Sequence, residues 1–476
     1  MKAQINRNVF NSAIESAMLA ISPKPVTPVV GCIIINADSD NSKLTIKSTN
    51  TSFSIYQIID AEVELDGIVA IPGKILKETI ASLTGELSLE FDGNYLVITH
   101  ETGQCRLMVN CNGDEFPNIE DSQDDEQHSI TIPSLKLQTV IDSVLYAAST
   151  DEIKMILNGV NFSIANDELI AVTTDGHRVA RVCANISDNG SDALNFTIPA
   201  KMLTEVSKIL LTASDSNDCI VNVCDSIVSM SVPGVKMICR LITGQYPAIE
   251  TLIPRTFKHE YTIERKALVA TLKRVLNLAD KKGRAVAVAW DIENRTAVLT
   301  TESSDFGDAT DAIAFKPQTT TNQNSSIGFN IDYLTDAINA ISTDEVVIKC
   351  NESQQPVIVC PIGGLLDQLA LVMPMEIRRS SKVEPTPTKV EIEVPTDIPT
   401  DVKVSVIEEE APTNVEILAI EVPTDIPTNT EVSAIEVPTD IPTDIEVSVI
   451  EDTPDTSTIP KPSRNGNKKT KVAATA

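Results

Sequence analysis

One sequence pattern occurs three times in the chain, as IPGKILKETIASL at residues 71–83, IPAKMLTEVSKIL at 198–210 and FNIDYLTDAINAI at 329–341. In each copy an extended apolar start is followed by apolar residues at helical spacing, and then by strand-like segments of alternating polarity. Pro72 and Pro199 stand where a helix tolerates proline, in its first turn. The pattern predicts one short helix followed by strands, repeated three times along the chain.

A longer amphipathic segment precedes each copy, and we expect it to form a second helix with strands of its own. These helices are predicted over 8–21, 134–148 and 266–279. Because so many alternating strands accompany only six helices, the fold class is α+β, with antiparallel sheets covered on one face by helices. The predicted domains are 1–123, 128–254 and 259–379.

Repeats of this size are too large for the stacking units of a solenoid, and they favour an arc instead. Two identical arcs can close into a ring when an edge strand at one end pairs with an edge strand of the other copy. We therefore expect the chain to form half of a ring.

The composition changes after Arg379, where a proline-rich tail begins. Residues 380–476 hold 12 of the 26 prolines and carry 8 Lys and Arg against 19 Asp and Glu, a net charge of −11. They repeat the heptad EVPTDIP three times and contain no aromatic residue. Such a segment has little apolar surface to bury, so we predict a disordered acidic tail. An inert spacer and a functional tail both remain open.

The bulk composition excludes several classes of protein. The net charge of −29 is unlike that of an ordinary DNA-binding protein, but a ring that encloses DNA needs only a modestly basic hole. Nine cysteines without any C-x-x-C pair indicate reduced thiols, with no disulfide framework and no zinc site. The N-terminus is not a signal peptide and no apolar run is long enough to span a membrane, so we expect a cytoplasmic protein with no metal or cofactor.

Several longer motifs along residues 1–379 carry a family resemblance. TTDGHRVARV at 173–182 and LVMPMEIRR at 371–379 are the most specific of them. The others are MKAQINRNVFNSAI at 1–14, SPKPVTPVVG at 22–31, DEFPNIE at 114–120, LNGVNF at 157–162 and ITGQYPAIETLIP at 242–254.

With these motifs the body resembles the bacterial DNA polymerase III beta subunit family, the sliding clamps. The resemblance implies three equivalent domains per protomer and a homodimeric ring with helices lining its hole. It implies a processivity factor without catalysis or cofactor, which encircles duplex DNA. The implied protein partners are the catalytic subunit of DNA polymerase III, the clamp loader and repair proteins.

The family docks short partner peptides in an apolar groove, which would lie between domains 2 and 3 here. Such a groove accepts Leu and Phe anchors while a few polar groups orient the peptide backbone. This sequence departs from the family at Thr251, where many relatives carry Arg, and at Glu376, a position that is often basic. The groove residues implied by motif match are Leu157, Thr174, Gly176, His177, Arg178, Val179, Pro247, Leu252, Met373, Pro374 and Met375.

Two further surfaces are implied. Lysines facing DNA would neutralise phosphates without reading bases, and Lys74 and Lys201 recur at one position of the repeat. Ring closure would pair the strand around residues 104–109, with Arg106 and Met108, against the region around Leu278 of the partner protomer. The DNA-facing candidates are Lys24, Lys74, Lys77, Lys154 and Lys201, and further candidates are Lys136, Lys208, Lys266, Lys273 and Arg274.

Two other functions remain to be weighed against a clamp. Thr251, Glu376 and the tail leave room for a clamp-like adaptor that docks proteins without being loaded on DNA. Asp175 and His177 suggest a hydrolase, which would need further ligands or a nucleophile nearby. The remaining histidines stand in no paired metal spacing, and no P-loop, GxSxG or HExxH motif occurs.

Overall fold

A computed structural model describes residues 1–25, 27–109, 116–117, 128–186, 193–212, 217–281, 283–303, 306–319 and 325–377. The tail, for which disorder was predicted, lies outside the described residues. Within these ranges the chain is built from six helices and 26 strands. The helices are α1 Arg7–Met18, α2 Gly73–Ala81, α3 Ser134–Val144, α4 Ala200–Thr212, α5 Arg265–Leu276 and α6 Ile331–Asn339.

All six helices predicted from apolar spacing are present, and the longer ones end earlier than predicted. After α1 and α5 the chain tightens, and backbone N–H groups bond three residues back: Ile21 to Met18 at 3.2 Å and Ala279 to Leu276 at 3.2 Å. After α3, Leu145–Ala147 form a 3₁₀ turn. Such turns satisfy the last carbonyl groups of a helix, which explains why the apolar periodicity outruns the helix itself.

The strands fall into three sets, one per repeat. Domain 1 contains β1 Lys2–Asn6, β2 Cys32–Asp38, β3 Lys43–Thr49, β4 Phe53–Asp60, β5 Glu62–Leu65, β6 Gly67–Pro72, β7 Glu86–Phe91, β8 Tyr95–His100 and β9 Gly103–Met108. Domain 2 contains β10 His128–Pro133, β11 Gly159–Ala165, β12 Glu168–Thr174, β13 Arg178–Asn185, β14 Leu194–Pro199, β15 Asp218–Val223, β16 Ile227–Val232 and β17 Val235–Arg240. Domain 3 contains β18 His259–Glu264, β19 Ala285–Asp291, β20 Thr296–Ser303, β21 Gly307–Ala314, β22 Lys316–Thr319, β23 Ser325–Asn330, β24 Glu345–Cys350, β25 Val357–Pro361 and β26 Asp367–Val372.

The described strands form four antiparallel sheets, two of which cross domain boundaries. Strand β17 of domain 2 pairs with β4 of domain 1, which makes one eight-stranded sheet in the order β10-β15-β16-β17-β4-β3-β2-β6. Strand β26 of domain 3 pairs with β13 of domain 2 in a nine-stranded sheet, β14-β11-β12-β13-β26-β25-β24-β18-β22. The outermost sheets are β5-β1-β7-β8-β9 and β21-β20-β19-β23.

Each domain buries its helix pair against the sheets through a large aliphatic cluster. In domain 1, Phe10 and Ile14 of α1 and Leu76 and Ile80 of α2 are fully buried together with strand residues such as Ile46. Domains 2 and 3 repeat the arrangement around their own helix pairs. Burial of each such side chain stabilises the fold by about 1.5–3 kcal/mol. The structure thus confirms the α+β class with three repeated domains of two helices each.

Candidate functional site

The segment between β12 and β13 is a tight turn held by its own side chains. The Asp175 carboxylate accepts hydrogen bonds from the backbone N–H groups of His177, at 2.8 Å, and Arg178, at 3.1 Å. The Thr174 hydroxyl donates to the Arg178 carbonyl at 2.7 Å and accepts from the Gly176 N–H at 3.1 Å. Gly176 has φ +95°, a backbone conformation that favours glycine. The TDGHR sequence therefore fixes this turn locally.

Arg178 ties the turn to domain 3. Its Nε donates to Asp175 Oδ2 at 3.0 Å and its Nη1 donates to Asp336 Oδ2 of α6 at 2.7 Å. The guanidinium also lies 4.6 Å from the ring centre of Tyr333 and 5.4 Å from that of Tyr146. Since its side chain is only 11% exposed, this cation is held by two carboxylates and two aromatic faces at the domain boundary.

Burial sets the protonation of the nearby phenols. Burial raises the pKa of Tyr146 and, with less effect, the pKa of Tyr333, while the charge of Arg178 opposes both shifts. Burial also raises the pKa of Tyr246, whose hydroxyl accepts the Thr174 N–H at 3.1 Å. All three phenols are neutral at neutral pH, as an unperturbed tyrosine is, and burial extends this neutrality to higher pH. The ring of His177 stacks on Tyr333 with 6.0 Å between centroids, while its own side chain is exposed.

An apolar floor lies on the outer face of the nine-stranded sheet beside this turn. It joins strands of domains 2 and 3, and the segment that connects the two domains packs against it. A cleft of about 560 Å³ runs between this connecting segment and β11 and β12. The buried members of the floor are Val172, Val179, Ile249, Ile358 and Leu371, and the partly buried members include Ile170, Tyr246, Ile253, Phe257 and Leu369.

The segment after β26 forms one wall of the site. The Met373 N–H donates to the His177 carbonyl at 2.9 Å, and the Met375 N–H donates to the Gly328 carbonyl of β23 at 2.9 Å. A Cβ atom at Gly328 would lie 2.4 Å from the Met375 carbonyl oxygen and 2.5 Å from Ile377 Cγ1. Only glycine lets this wall lie directly on β23. The Met373 side chain is 40% exposed and faces solvent beside the turn.

The structure brings most of the predicted groove residues together at this domain boundary. Hydrogen bonds link Thr174, Gly176, His177, Arg178 and Met373 directly, and Val179 lies in the floor. Pro374 and Met375 continue the wall, and Pro247 lines the cleft. Leu157 lies in the 3₁₀ turn Met155–Asn158, and Leu252, 55% exposed, ends the 3₁₀ turn Ile249–Leu252.

Four residues of this site were not identified from sequence: Tyr146, Tyr246, Tyr333 and Asp336. Tyr333 did carry a signal, because it stands in the third repeat where the first two copies have the aliphatic residues of their helices. Tyr246 lies within the motif at 242–254, from which only Pro247 and Leu252 were selected as groove residues. Asp336 is 158 positions from Arg178, and no pattern in the sequence announces that pairing.

The hydrolase alternative finds no support in this geometry. Both oxygens of Asp175 are occupied by the turn and by Arg178, and the His177 ring rests on Tyr333 with no carboxylate partner in the part of the chain that the structure describes. Among the residues that the structure describes, no three His, Cys, Asp or Glu side chains form a group able to hold a metal ion.

The predicted DNA-facing lysines do not share one environment. Lys74 and Lys201 lie exposed in the first turns of α2 and α4, and Lys24 and Lys77 are also exposed. Lys154 instead lies beside the turn of the candidate groove, with its Nζ 3.8 Å from the Cβ position of Gly176. The further candidates Lys208, Lys266 and Arg274 are paired with Glu205, Asp344 and Asp311, Lys136 donates to the Asn185 carbonyl, and Lys273 is exposed.

The third repeat reverses the charge at the shared lysine position. Asp332 of α6 stands where α2 has Lys74 and α4 has Lys201, and it is paired with Arg284 at 2.7 Å. The recurring positive charge is therefore confined to domains 1 and 2.

The two outermost sheets each end in an edge strand, β9 and β21. Arg106 of β9 pairs with Asp92 at 2.9 Å and lies over the Tyr95 ring, while Met108 is 55% exposed. Leu278 is partly buried in the segment after α5, the helix that packs against β21. The edge strand at that end of the protomer is β21 itself, which sequence reasoning did not single out.

Comparisons with known proteins agree with the fold. Models of the N-terminal, central and C-terminal domains of the DNA polymerase III beta subunit match residues 1–120, 131–248 and 250–376. The chain belongs to the bacterial DNA polymerase III beta subunit family. None of the three matches extends past residue 376, so the proline-rich tail is additional to the family body.

Individual relatives resemble the chain in sequence, and solved structures resemble it in fold. It is 30% identical over 396 residues to the beta sliding clamp of Synechocystis, covering 79% of this chain and all of that protein. It is 26% identical to the beta sliding clamp of Bacillus subtilis, covering 75% and 95%. The structure of DNA polymerase III beta subunit from Thermotoga maritima superimposes with a TM-score of 0.72 at 23% identity, covering 79% of this chain and all of that chain. A Bacillus subtilis sliding clamp gives a TM-score of 0.73 at 22% identity with the same coverage.

The protein is therefore a sliding clamp of DNA replication, a processivity factor that works with DNA and with clamp-binding proteins and is not an enzyme. None of the helices that the structure describes is long and apolar enough to cross a membrane.

Proposed function

We propose that two protomers of this clamp close into a ring around duplex DNA by pairing β9 of one copy with β21 of the other. At both internal boundaries the last strand of one domain pairs antiparallel with the fourth strand of the domain before it, as β17–β4 and β26–β13. In the same order of strands, β9 is the last strand of domain 1 and β21 is the matching strand of domain 3. This repetition, with both strands at sheet edges, carries the proposal.

The ring closure is tested by placing a charge on the edge strand. Met108→Lys in β9 puts an ammonium group into the proposed interface, and we expect the mass in solution to fall from dimer to monomer. Leu65→Lys is the matched control, because Leu65 is 60% exposed on β5, the opposite edge of the same sheet. A Met108→Lys protein that stays dimeric would count against this pairing.

We infer that DNA passes through the ring beside α2 and α4, whose exposed lysines neutralise phosphates without reading bases. After loading, the wild type should stay on circular DNA and slide off linearised DNA. Lys74→Glu with Lys201→Glu should shorten retention on circles while peptide binding stays unchanged. Equal loss of the wild type from circles and linear DNA would favour the adaptor function instead.

We propose that the boundary of domains 2 and 3 docks peptides of the polymerase catalytic subunit, the clamp loader and repair proteins. The apolar floor suits Leu or Phe anchors, and exposed Met373 can adapt to several partners. His177→Ala and Met373→Ala should each weaken binding of a peptide with a Gln followed by Leu and Phe anchors, measured by fluorescence anisotropy. Glu376 and Thr251 are exposed beside the groove, so their replacement by Arg should change which peptide flanking charges are preferred.

We propose a cytoplasmic location because the family to which the chain belongs is bacterial and acts on DNA. Fractionation of cells that carry the untagged protein would test it, with nucleoid-associated and soluble fractions probed separately.

A further inference from the structure

The proposed peptide site at the boundary of domains 2 and 3 is called the docking groove below. The boundary between domains 1 and 2 repeats the backbone hydrogen bonds of that groove. The turn 49–53 stands in domain 1 where the turn 174–178 stands in domain 2. Its Asn50 side chain accepts the N–H groups of Ser52, at 3.1 Å, and Phe53, at 2.8 Å, as Asp175 does for its own turn. The two turns thus share one hydrogen-bond scheme although their sequences, TNTSF and TDGHR, agree only at the threonine.

The shared frame extends across the domain boundary. The Arg240 N–H donates to the Ser52 carbonyl at 2.9 Å, just as the Met373 N–H donates to the His177 carbonyl at 2.9 Å. Arg240 therefore occupies the position that Met373 holds in the docking groove. Its Nε also donates to the Thr51 carbonyl at 3.0 Å.

The turn of domain 1 keeps this conformation at a cost. Thr51 has φ +74° where the docking groove has Gly176, and a β-branched residue rarely adopts that region. Such strain persists only where the surrounding structure imposes it, and it is concentrated at binding sites. Besides the shared hydrogen bonds, the strained backbone of Thr51 is a second indication that the boundary between domains 1 and 2 is a binding surface.

The floor of this second site differs from that of the docking groove in charge. In register across the boundary, Lys236 of β17 faces Tyr56 of β4, and Tyr56 faces Lys47 of β3. The Lys47 Nζ lies 5.8 Å from the centre of the Tyr56 ring. The equivalent positions of the docking groove are Leu369, Arg181 and Val172, so a mainly apolar row has become one of two lysines around a tyrosine.

An apolar centre remains next to this row. Ile238 is 3% exposed and packs with Cys224, Ile227 and partly buried Tyr56 on the same outer face. Beyond β3, Phe116 of the segment that follows β9 is 8% exposed and packs on the outer face over Cys32, Ile34 and Ala70, as Tyr246 does in the docking groove. The site therefore combines a buried aliphatic base and a partly buried tyrosine ring with cations at its rim.

We propose that this boundary is a second peptide-binding groove, which takes an extended acidic segment of a partner protein. Three cationic side chains, Lys47, Lys236 and Arg240, surround this apolar base on a body whose own net charge is negative, so an anionic ligand is the complementary one. Lys47 and Lys236 are two strand spacings apart, about 10 Å. A polyproline II segment places every third side chain on one face at about 9 Å, so carboxylates three residues apart match this distance.

The test uses the full-length chain and a fluorescein-labelled peptide EPVEPVEPV, followed by anisotropy at low salt. The neutral peptide QPVQPVQPV is the control ligand. We expect saturable binding of the acidic peptide only, with affinity that falls as salt is raised. Lys47→Gln and Arg240→Gln should each weaken it about five-fold, the upper range for one exposed ion pair. Lys258→Gln, which removes an exposed cation in domain 3, should leave the affinity unchanged.

The docking groove provides the second control. An excess of unlabelled peptide with Leu and Phe anchors should not displace EPVEPVEPV, so failure of this groove is distinguishable from failure of the docking groove. The proposal is overturned if EPVEPVEPV does not bind, if QPVQPVQPV binds equally well, or if Lys47→Gln and Arg240→Gln bind like the wild type. Displacement by the anchor peptide would also overturn it, because it would assign the binding to the boundary of domains 2 and 3.

Discussion

Replacing Gly328 by alanine should weaken peptide docking without touching any groove side chain. The new Cβ would lie 2.4 Å from the Met375 carbonyl oxygen, and both it and the Ile377 Cγ1 at 2.5 Å must move away. Ordinary van der Waals contact begins near 3.4 Å, so the wall has to shift by about 1 Å. Overpacking of this kind costs about 1–3 kcal/mol.

That shift also strains the hydrogen bond from the Met375 N–H to the Gly328 carbonyl, and it moves Met373 relative to the His177 turn. Loss of one such contact is worth about 1 kcal/mol. If about 1.4 kcal/mol of the cost appears in binding, the dissociation constant rises about ten-fold.

Anisotropy with a labelled anchor peptide measures the effect. Ser326→Ala is the matched control, since Ser326 lies two residues earlier on the same face of β23 and loses only a hydroxyl. We expect the control to bind within two-fold of wild type, a margin of about 0.4 kcal/mol. Gly328→Ala with wild-type affinity and an unchanged melting temperature would refute the view that residues 373–377 must rest directly on β23.

Three further predictions concern stability. A double-mutant cycle with Arg178→Met and Asp336→Asn should give a coupling free energy of only about 1 kcal/mol, because the Asp336 carboxylate is 45% exposed. Urea unfolding monitored by Trp290 fluorescence measures this coupling. A coupling of zero would contradict the ion pair. Asn330→Ala removes the N-cap that accepts two backbone N–H groups of α6 and should cost about 1 kcal/mol in the same assay, whereas no loss would dismiss the cap. Burial lowers the pKa of His259 below 6.5, so the folded protein should lose stability as the pH falls through 6.5 towards that lowered value. His259→Gln should therefore flatten the dependence of the melting temperature on pH between pH 5 and 8. An unchanged slope would assign the effect to other groups.

The helices could be predicted from the sequence because their determinants are local, and the determinants of the 174–178 turn are local as well. Apolar spacing locates α2, α4 and α6, and the TDGHR motif contains every side chain that closes its own turn. The same local character explains why the helix ends were misplaced, since the last apolar residues form 3₁₀ turns that periodicity does not distinguish from helix.

Contacts between residues that are far apart in the chain could not be predicted from the sequence. The contact of Arg178 with Asp336 joins two domains, and the sharing of sheets through β17–β4 and β26–β13 is a matter of register between repeats. Strand β21 was missed because its sequence, GDATDAIA, is mostly small and acidic residues, with only Thr310 and Ile313 favouring a strand. Its role follows only from its place at the edge of a sheet.

Because two of the sheets run continuously through the domain boundaries, bending of the chain at a boundary is spread elastically over many strands. No flexible hinge separates the domains at these boundaries, because hydrogen-bonded sheets of eight and nine strands cross them. A change of curvature is therefore shared among all the strands of the sheet. A bend of about 10° spread over eight strands alters each strand pair by little more than about 1°, against a natural twist of about 20–25°. In the ring proposed above, opening would therefore store small elastic deformations throughout the sheets, and these would restore the closed curvature once the opening force is removed.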